Sequence, residues 1–523
     1  MANKEQFLQT VKSGYTFEGE AIKIGRAMLD GQVVEGADVW LPLRTLNRHG
    51  LIAGATGTGK TKTLQMISEG LSDASVPVLL LDIKGDLSGM AAPGAPNDKL
   101  QKRAEQLGMP FSPQAYPVEL LSLSDKPGVR LRATVSEFGP VLLSKILALN
   151  DTQGGIVAMI FKYCDDNNLP LLDLKDFIKV LQYISNEGKG EIEKAYGKIS
   201  TTSTGTILRK VIELQQQGAD LFFGERSFEV DDLMRIADDG RGVISILRVT
   251  ELQDRPKLFS TFMLQLLAEL YATSPEEGDI EKPKLVLFID EAHLIFNDAS
   301  PVLLQQIETV IKLIRSKGIG VFFCTQTPSD VPASVLSQLG LKVQHALRAF
   351  TAADRKTIKQ AAENYPETEY YDTDSLLTQL GIGEALVTML NEKGIPTPLV
   401  HTMLAPPRSR MDVLSEEEVR NIVQRSKLSA KYNETVDRES AYELLTKKLE
   451  VAQQREQEIK QMEQQAKEEK KEAKSRPAPK EESWVDNPVV RQAGRTAASI
   501  LTRSLLGVLG VGSSRSRRSK SWF

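Results

Sequence analysis

The residues from Gly54 to Thr61 have the types and spacing of a phosphate-binding loop. They read Gly-Ala-Thr-Gly-Thr-Gly-Lys-Thr and match the pattern G-x-x-x-x-G-K-[ST] in full. Glycines let consecutive backbone N–H groups turn toward a polyanion, and the start of the following helix adds partial positive charge. Lys60 can reach the β- and γ-phosphates of a nucleotide, and the Thr61 hydroxyl can ligate Mg²⁺. The predicted nucleotide-binding residues are Gly54, Ala55, Thr56, Gly57, Thr58, Gly59, Lys60, Thr61 and Lys62.

Two adjacent carboxylates follow an apolar run at 285–289. At the end of a buried strand, Asp290 can hold Mg²⁺ through water, and Glu291 can act as the general base for an attacking water molecule. The glutamate favours hydrolysis over phosphoryl transfer to a small acceptor. ATP and Mg²⁺ are therefore the predicted cofactors. An acidic helix cap is the alternative interpretation of the pair.

Polar residues also end two further apolar runs. Gln326 follows the run 319–325, and there it can hydrogen-bond both the γ-phosphate and the attacking water, or it can be a surface loop residue. Asp82, Lys84 and Asp86 end the run 78–83 and either line the same cleft or are solvated strand-end charges.

Two arginines are notable for their positions. Arg48 lies twelve residues ahead of Lys60, and Arg315 ends the helical pattern before the run that leads to Gln326. Either side chain could supply positive charge to the γ-phosphate held by a neighbouring subunit. A solvated arginine on a helix surface is the alternative.

The elements that must position these residues alternate between strand and helix. Apolar strand patterns occur at 78–83, 242–249, 284–289, 319–325 and 342–347, with helical patterns between them. Such alternation predicts an α/β fold with a mainly parallel sheet that is covered by helices on both faces.

The pattern changes several times along the chain, which predicts six regions. They are a short β-rich segment at 1–45, a first part of the ATPase core at 46–134, a mostly helical insertion at 135–240, a second part of the core at 241–410, a charged helical extension at 411–474 and a basic, disordered tail at 475–523.

Charge and composition exclude several classes of protein. The chain has 65 basic and 69 acidic residues, a net charge of -4, which argues against a uniformly basic coat protein. Two cysteines far apart, Cys164 and Cys324, make no disulfide framework or metal ligand set. The sequence shows no signal peptide and no apolar run of about 20 residues, so we expect a cytoplasmic protein without a transmembrane segment.

The tail reverses the charge of the rest of the chain. From Asn487 onward there are seven Lys or Arg residues and no acidic residue, which leaves -11 for the remainder. Its densest cluster is Arg515, Arg517, Arg518 and Lys520. Such a cluster attracts DNA or an anionic membrane surface alike.

The motifs together resemble the HerA/FtsK branch of the RecA-like P-loop ATPases, and in particular the bacterial HerA-like proteins of uncharacterised role. The matching stretches, within roughly 17–410, are NRHGLIAGATGTGKT, LLLDIKGDLSG, LVLFIDEAHLIF, RSKGIGVFFCTQTPSDVPASVLSQLG and LRAFTAADRKTI. The resemblance implies a RecA-like core, ATP hydrolysis and a hexameric ring. It also implies that Arg315 is the arginine acting in trans and that Arg48 is a second phosphate-sensing arginine.

The chain departs from that family in ways that leave its substrate open. Its N-terminal β segment is shorter than the barrel of the archaeal HerA helicases, and the membrane and winged-helix domains of FtsK are absent. One hypothesis is a translocase or helicase on duplex DNA, with DNA bound in the pore and by the basic tail and with a nuclease or adaptor as partner. The other is an ATPase that remodels or exports protein, or a nucleotide-gated assembly factor.

The letters Asp-Glu-Ala-His at 290–293 also fit the box of superfamily-2 helicases. That interpretation is rejected because about 230 residues separate Lys60 from Asp290 and no second RecA-like half follows. His293 is then expected to be a side chain at the start of a helix.

Overall fold

In the computed structural model the described residues are 4–475, apart from 125, 253, 254, 279, 297–300, 435 and 437. Twelve strands within this part of the chain form one sheet. The strands are β1 (Ala21–Leu29), β2 (Gln32–Pro42), β3 (Gly50–Ala53), β4 (Val78–Asp82), β5 (Val118–Ser122), β6 (Val129–Arg130), β7 (Ile244–Arg248), β8 (Leu285–Ile289), β9 (Ile319–Thr325), β10 (Leu341–Gln344), β11 (Glu384–Thr388) and β12 (Val400–Leu404).

The sheet has a parallel part and an antiparallel part. In space the strands follow the order β2-β1-β12-β11-β10-β3-β9-β8-β4-β7-β5-β6. All pairs from β10 to β6 are parallel, and all pairs from β2 to β10 are antiparallel. Every residue of β3, β4, β8 and β9 is buried, as their unbroken apolar runs predict for strands that are covered on both faces.

Seventeen α-helices accompany the sheet in the described residues. They are α1 (Lys4–Tyr15), α2 (Lys60–Asp73), α3 (Asp98–Leu107), α4 (Val135–Ile146), α5 (Asp151–Asp166), α6 (Leu174–Ser185), α7 (Lys189–Ala195), α8 (Thr201–Gln216), α9 (Pro256–Thr273), α10 (His293–Phe296), α11 (Pro301–Ile314), α12 (Ala333–Leu336), α13 (Ala352–Ala362), α14 (Thr373–Gln379), α15 (Glu416–Arg425), α16 (Lys427–Tyr432) and α17 (Ala441–Ser475).

The fold class predicted from the sequence is confirmed. The sheet is mainly parallel, and the five helices α4–α8 follow one another between β6 and β7, where the helical insertion is expected. The stretch 89–130, whose Pro and Gly content indicates loops, also contains α3 and β5. In the sheet, β5 lies between β7 and the edge strand β6. The region boundaries themselves stay predictions.

The first 45 residues, which the sequence predicts to be a short β-rich segment, show two features that this prediction does not include. The strand patterns do not predict α1, which precedes the hairpin β1–β2. The hairpin also joins the main sheet, because β1 pairs with β12. The apolar face of α1, formed by Phe7, Val11 and Tyr15, lies in the same hydrophobic cluster as the sheet.

The C-terminal part begins with two helices that contribute to the main body. Val419 of α15 belongs to the large hydrophobic cluster, and Leu428 and Tyr432 of α16 are buried. The chain divides after Lys448 into two units, and residues 449–475 of the second continue α17. The described residues end at 475. The predicted basic tail from 476 onward, with its arginine cluster, lies outside them. No helix in the described part of the chain is long and apolar enough to cross a membrane.

Tyr15 offers a test of how α1 is attached. Its buried hydroxyl donates to the carbonyl oxygens of Val387 at 3.0 Å and Pro398 at 2.7 Å and accepts a hydrogen bond from Thr397. We expect Tyr15→Phe to lower the free energy of unfolding by about 1–2 kcal/mol, because buried polar groups lose their partner. Urea denaturation measures this loss. The exposed Tyr442 provides the control Tyr442→Phe, and equal stabilities of the two variants would contradict the attachment.

Candidate active site

The phosphate-binding loop joins β3 to α2 in a backbone conformation that requires glycine. Gly54, Gly57 and Gly59 have φ angles of 155°, 78° and 113°, values that other residues rarely adopt. A Cβ atom on Gly54 would also lie 2.5 Å from the Cβ of His345. The three glycines therefore allow the loop to curve closely between its neighbours, which fits a cradle of backbone N–H groups around phosphate.

Hydrogen bonds from three neighbouring strands hold this loop in place. The Gly54 N–H donates to the Thr325 carbonyl at 3.2 Å, and the Ala55 N–H donates to the Ala346 carbonyl at 2.8 Å. The Thr58 carbonyl accepts from the Gly383 N–H at 3.0 Å. The loop is thus fixed by the last residue of β9, by a residue just after β10 and by the residue that precedes β11.

Lys60 is the buried cation of the loop. Its ammonium donates to the carbonyl oxygens of Gly54 at 2.7 Å and Ala55 at 3.2 Å. Burial lowers the pKa of Lys60, and the nearby Lys84 lowers it further against the opposing effect of the site's carboxylates. An anion beside this ammonium would therefore be stabilised. The side chain of Lys62 points elsewhere, since its ammonium donates to the Met411 carbonyl.

The strand register brings the other predicted residues to the same edge of the sheet. Ala53 pairs with Thr325, so the loop and Gln326 begin side by side. Ile289 pairs with Phe323 in the next strand, which places Asp290 beside them. Gln326 is exposed at this edge. Its role toward phosphate stays a prediction.

Asp290 has the properties of a metal-site carboxylate. It is 2 % exposed, and its Oδ2 has no hydrogen-bond partner among the described residues. Burial raises the pKa of Asp290 to about 7; Lys84 opposes this rise and Glu291 adds to it. A buried carboxylate oxygen without a partner fits a hydrated Mg²⁺, and the Thr61 hydroxyl at the start of α2 stays the predicted second oxygen ligand.

Glu291 lies between two basic side chains. Its Oε1 forms an ion pair with the ammonium of Lys84. Its Oε2 lies 3.2 Å from Nδ1 of His293 but has no hydrogen-bond partner among the described residues. Its φ of 48° is also unusual for a residue other than glycine. His293 begins α10 as predicted, but its contact with the candidate general base was not anticipated from the sequence.

Two of the three charges at the end of β4, Lys84 and Asp82, have different roles, and Oδ1 of the third, Asp86, is buried without a hydrogen-bond partner among the described residues. Lys84 lines the cleft, because its ammonium contacts Glu291. Asp82 instead shapes the turn, accepting hydrogen bonds from the N–H groups of Gly85, Asp86 and Leu87 at 2.7, 3.2 and 3.1 Å. Burial raises the pKa of Asp82 to about 6, although these backbone donors oppose the rise.

Two residues at the site were missed by the sequence patterns. His345 follows β10, and its Nε2 lies 2.9 Å from Oγ1 of Thr63 in α2. Burial lowers the pKa of His345 to about 4, and Lys60 contributes to this decrease. Asp330 accepts hydrogen bonds from Oγ1 of Thr325 at 2.5 Å and from the Thr327 N–H at 3.0 Å, which shapes the turn around Gln326. The polar pair Gln344-His345 at the end of an apolar run was the available signal for the first.

The two predicted arginines lie at the opposite edge of the sheet. Arg48 precedes β3, and Arg315 is an exposed residue in the turn between α11 and β9. The guanidinium of Arg48 lies close to the turn at Gly394. Because β9 has seven residues at about 3.3 Å each, the two edges are roughly 20 Å apart. Neither arginine therefore reaches the phosphate loop of its own chain.

Comparison with known proteins places the site in a family context. Residues 28–516 match the family model described as Helicase HerA-like C-terminal. The DNA double-strand break repair helicase HerA of Sulfolobus acidocaldarius is 22% identical over 382 residues, which cover 71% of this chain and 67% of that protein. The HerA protein of Saccharolobus solfataricus is 23% identical over 385 residues, covering 72% and 68%. Among solved structures, the bacterial conjugative coupling protein TrwBdeltaN70 matches with a TM-score of 0.49 and 14% identity, over 78% of this chain and 94% of that chain.

Glu291→Gln tests the candidate general base. We expect the rate of ATP hydrolysis to fall by about 10²- to 10⁴-fold, because an amide cannot accept the proton of water. The affinity for a non-hydrolysable ATP analogue should remain, since the phosphate loop is unchanged. Glu416→Gln, at a position with an 89% exposed side chain, is the matched control. Hydrolysis near the wild-type rate in Glu291→Gln would exclude this residue as the base.

Proposed function

Because the chain belongs to the family of HerA-like helicase C-terminal domains and is an ATP hydrolase, we propose that it works as a hexameric, ring-shaped motor on duplex DNA. The observation that carries this proposal is the separation of Arg48 and Arg315 from the phosphate loop of the same chain. The names of the two relatives support DNA as the substrate, since both are called DNA double-strand break repair helicases.

The hydrolytic step follows from the residues at the carboxyl edge of the sheet. MgATP supplies a phosphoanhydride whose γ-phosphate carries charge that the metal helps to neutralise. The loop N–H groups and Lys60 hold the phosphates, and Thr61 and Asp290 hold the metal. Glu291 accepts a proton from the attacking water, and Gln326 orients that water. Before this step, the side chains of Lys84 and His293 must move away from the Glu291 carboxylate, because both lie against its oxygens.

The placement of the two arginines supports a ring. A residue at the amino edge of one sheet can serve only a nucleotide held by another subunit. This head-to-tail use of two different surfaces closes into a ring when the rotation between subunits permits. Six subunits are the number that the family resemblance implies. Arginines supplied in trans stabilise the charge of the transition state.

Contact with DNA is expected in the ring's pore and at the basic tail. The seven Lys and Arg residues after Asn487 are free of neighbouring acidic residues in the sequence. Such charge binds the phosphate backbone without reading the base sequence, and its contribution falls as salt rises. A nuclease or adaptor that acts on the same DNA is the proposed partner.

The first experiment is steady-state ATP hydrolysis with and without long duplex DNA. We expect several-fold stimulation by duplex that disappears at high salt, because phosphate contacts are lost by competition with counterions. Hydrolysis by the Lys60→Ala variant, measured with and without DNA, shows how much of the rate comes from contaminating enzymes. Hydrolysis that ignores DNA would contradict the DNA motor and favour a role on protein, and binding of ATP without any hydrolysis would leave a nucleotide-gated assembly.

Mixing two inactive variants tests whether the arginines act in trans. Lys60→Ala lacks a working site but keeps its arginines, whereas Arg315→Ala keeps its site and should lose about 10³-fold in rate. After subunit exchange in an equal mixture, we expect about a quarter of the wild-type rate, because one interface in four joins an intact site to intact arginines.

The control for this mixture combines Lys60→Ala with Glu291→Gln. Both changes damage the site itself, so every interface in that mixture is defective and no activity should return. If Lys60→Ala and Arg315→Ala also fail to restore one another, the ring with arginines acting in trans is wrong.

A further inference from the structure

His49 is buried between the two arginine positions. It follows Arg48 directly, and its Nε2 lies 2.8 Å from the carbonyl oxygen of Ile311, one helical turn before Arg315. On the other side of the ring, Nδ1 accepts a hydrogen bond of 3.0 Å from the Val321 N–H in β9. The side chain is 2% exposed. One imidazole thus joins the segment of Arg48 to the end of α11 and to the start of β9.

The two contacts define the state of the ring. Because Nδ1 accepts from Val321, the proton lies on Nε2, which donates to Ile311. Burial lowers the pKa of His49 to about 4, and the charge of Arg315 lowers it as well. The imidazole is therefore neutral at physiological pH, with one donor and one acceptor that are both used.

The backbone around His49 is fixed as well. Its φ of 62° and ψ of 171° form a backbone conformation that residues other than glycine rarely adopt. The Arg48 carbonyl accepts from the Gly340 N–H at 2.8 Å, and the His49 carbonyl accepts from the Leu341 N–H at 3.1 Å. These bonds fix the chain at His49 as it enters β3 in register with β10.

We propose that His49 is a positioning residue that holds Arg48 and Arg315 as one arginine pair for the nucleotide of the neighbouring subunit. The inference rests on the proposed ring. His49 does not touch the nucleotide; it fixes the spacing of the two backbone segments from which the arginines project. Such fixation matters because a displacement of about 1 Å at a reacting centre can reduce the rate by about 10²-fold.

His49→Asn is the variant that separates the two contacts. The Asn side-chain oxygen lies near the position of Nδ1 and can still accept from Val321. The link to Ile311 is lost. We expect ATP turnover to fall by about ten- to a hundredfold, while the affinity for a non-hydrolysable ATP analogue stays at the wild-type value.

Mixing experiments then distinguish a positioning role from general damage. In a mixture with Lys60→Ala, the partner supplies intact arginines to the intact site of His49→Asn, so activity should return to about a quarter of the wild-type rate. In a mixture with Arg315→Ala, every interface lacks a proper arginine pair, and activity should not return.

His345 provides a matched control at the other end of the same strand pair. It is also buried and neutral, but it contacts Thr63 beside the phosphate loop. His345→Asn should therefore damage the site rather than the arginines. Its activity should return with Arg315→Ala and not with Lys60→Ala, the reverse of the pattern for His49→Asn.

The outcomes separate this inference from the ring on which it rests. If Lys60→Ala and Arg315→Ala fail to restore one another, the ring proposal fails first. If they succeed, wild-type turnover in His49→Asn, recovery with Arg315→Ala, or failure with both partners overturns the role of His49. Should His49→Asn not fold, His49→Gln replaces it in the same mixtures. Its amide nitrogen lies near the position of Nε2 and keeps the contact with Ile311, so the contact with Val321 is the one that it loses. We expect a smaller loss of turnover than in His49→Asn, with recovery alongside Lys60→Ala and not alongside Arg315→Ala.

Discussion

The parallel register of β10, β3, β9, β8 and β4 is the constraint on which the site depends. Parallel strands all end at the same edge of a sheet, so the residues that follow them become neighbours although they are distant in sequence. The pairings Gln344–Ala53, Ala53–Thr325 and Phe323–Ile289 bring the loop, the glutamine and the carboxylates into one row. The same register necessarily places the residues that precede these strands at the far edge, where Arg48 and Arg315 lie.

This register is maintained both inside the sheet and at its ends. The buried apolar residues of β3, β4, β8 and β9 pack on both faces, which excludes exposure of any of these strands to water. At the carboxyl edge, the phosphate loop bonds to the last residue of β9 and to a residue just after β10. At the amino edge, Gly340 and Leu341 bond to the backbone of Arg48 and His49. Polar contacts thus close each end of a core that hydrophobic burial holds together.

The sequence predicted those parts of the structure that depend on local patterns. Continuous apolar runs identified β4, β8 and β9, and the glycine spacing identified the phosphate loop. Long-range pairing could not be read in this way: the short apolar runs of β11 and β12 do not show which strands they pair with, and the antiparallel pairing of β12 with β1 brings the first hairpin into the sheet. His49 and His345 were missed for the same reason, since their importance lies in contacts with Ile311 and Thr63 and not in their neighbours in sequence.

The two buried histidines show why polar groups are retained at both edges of this sheet. A polar side chain in a dry interior is unfavourable unless its donors and acceptors are used, so it defines a geometry more sharply than an apolar side chain of the same size. His49 uses both ring nitrogens to bind two backbone segments. His345 uses Nε2 toward α2, while its Nδ1 has no partner among the described residues. Each histidine therefore fixes the separation of the segments that it contacts, His49 at the edge that carries the two arginines and His345 at the edge that carries the phosphate loop.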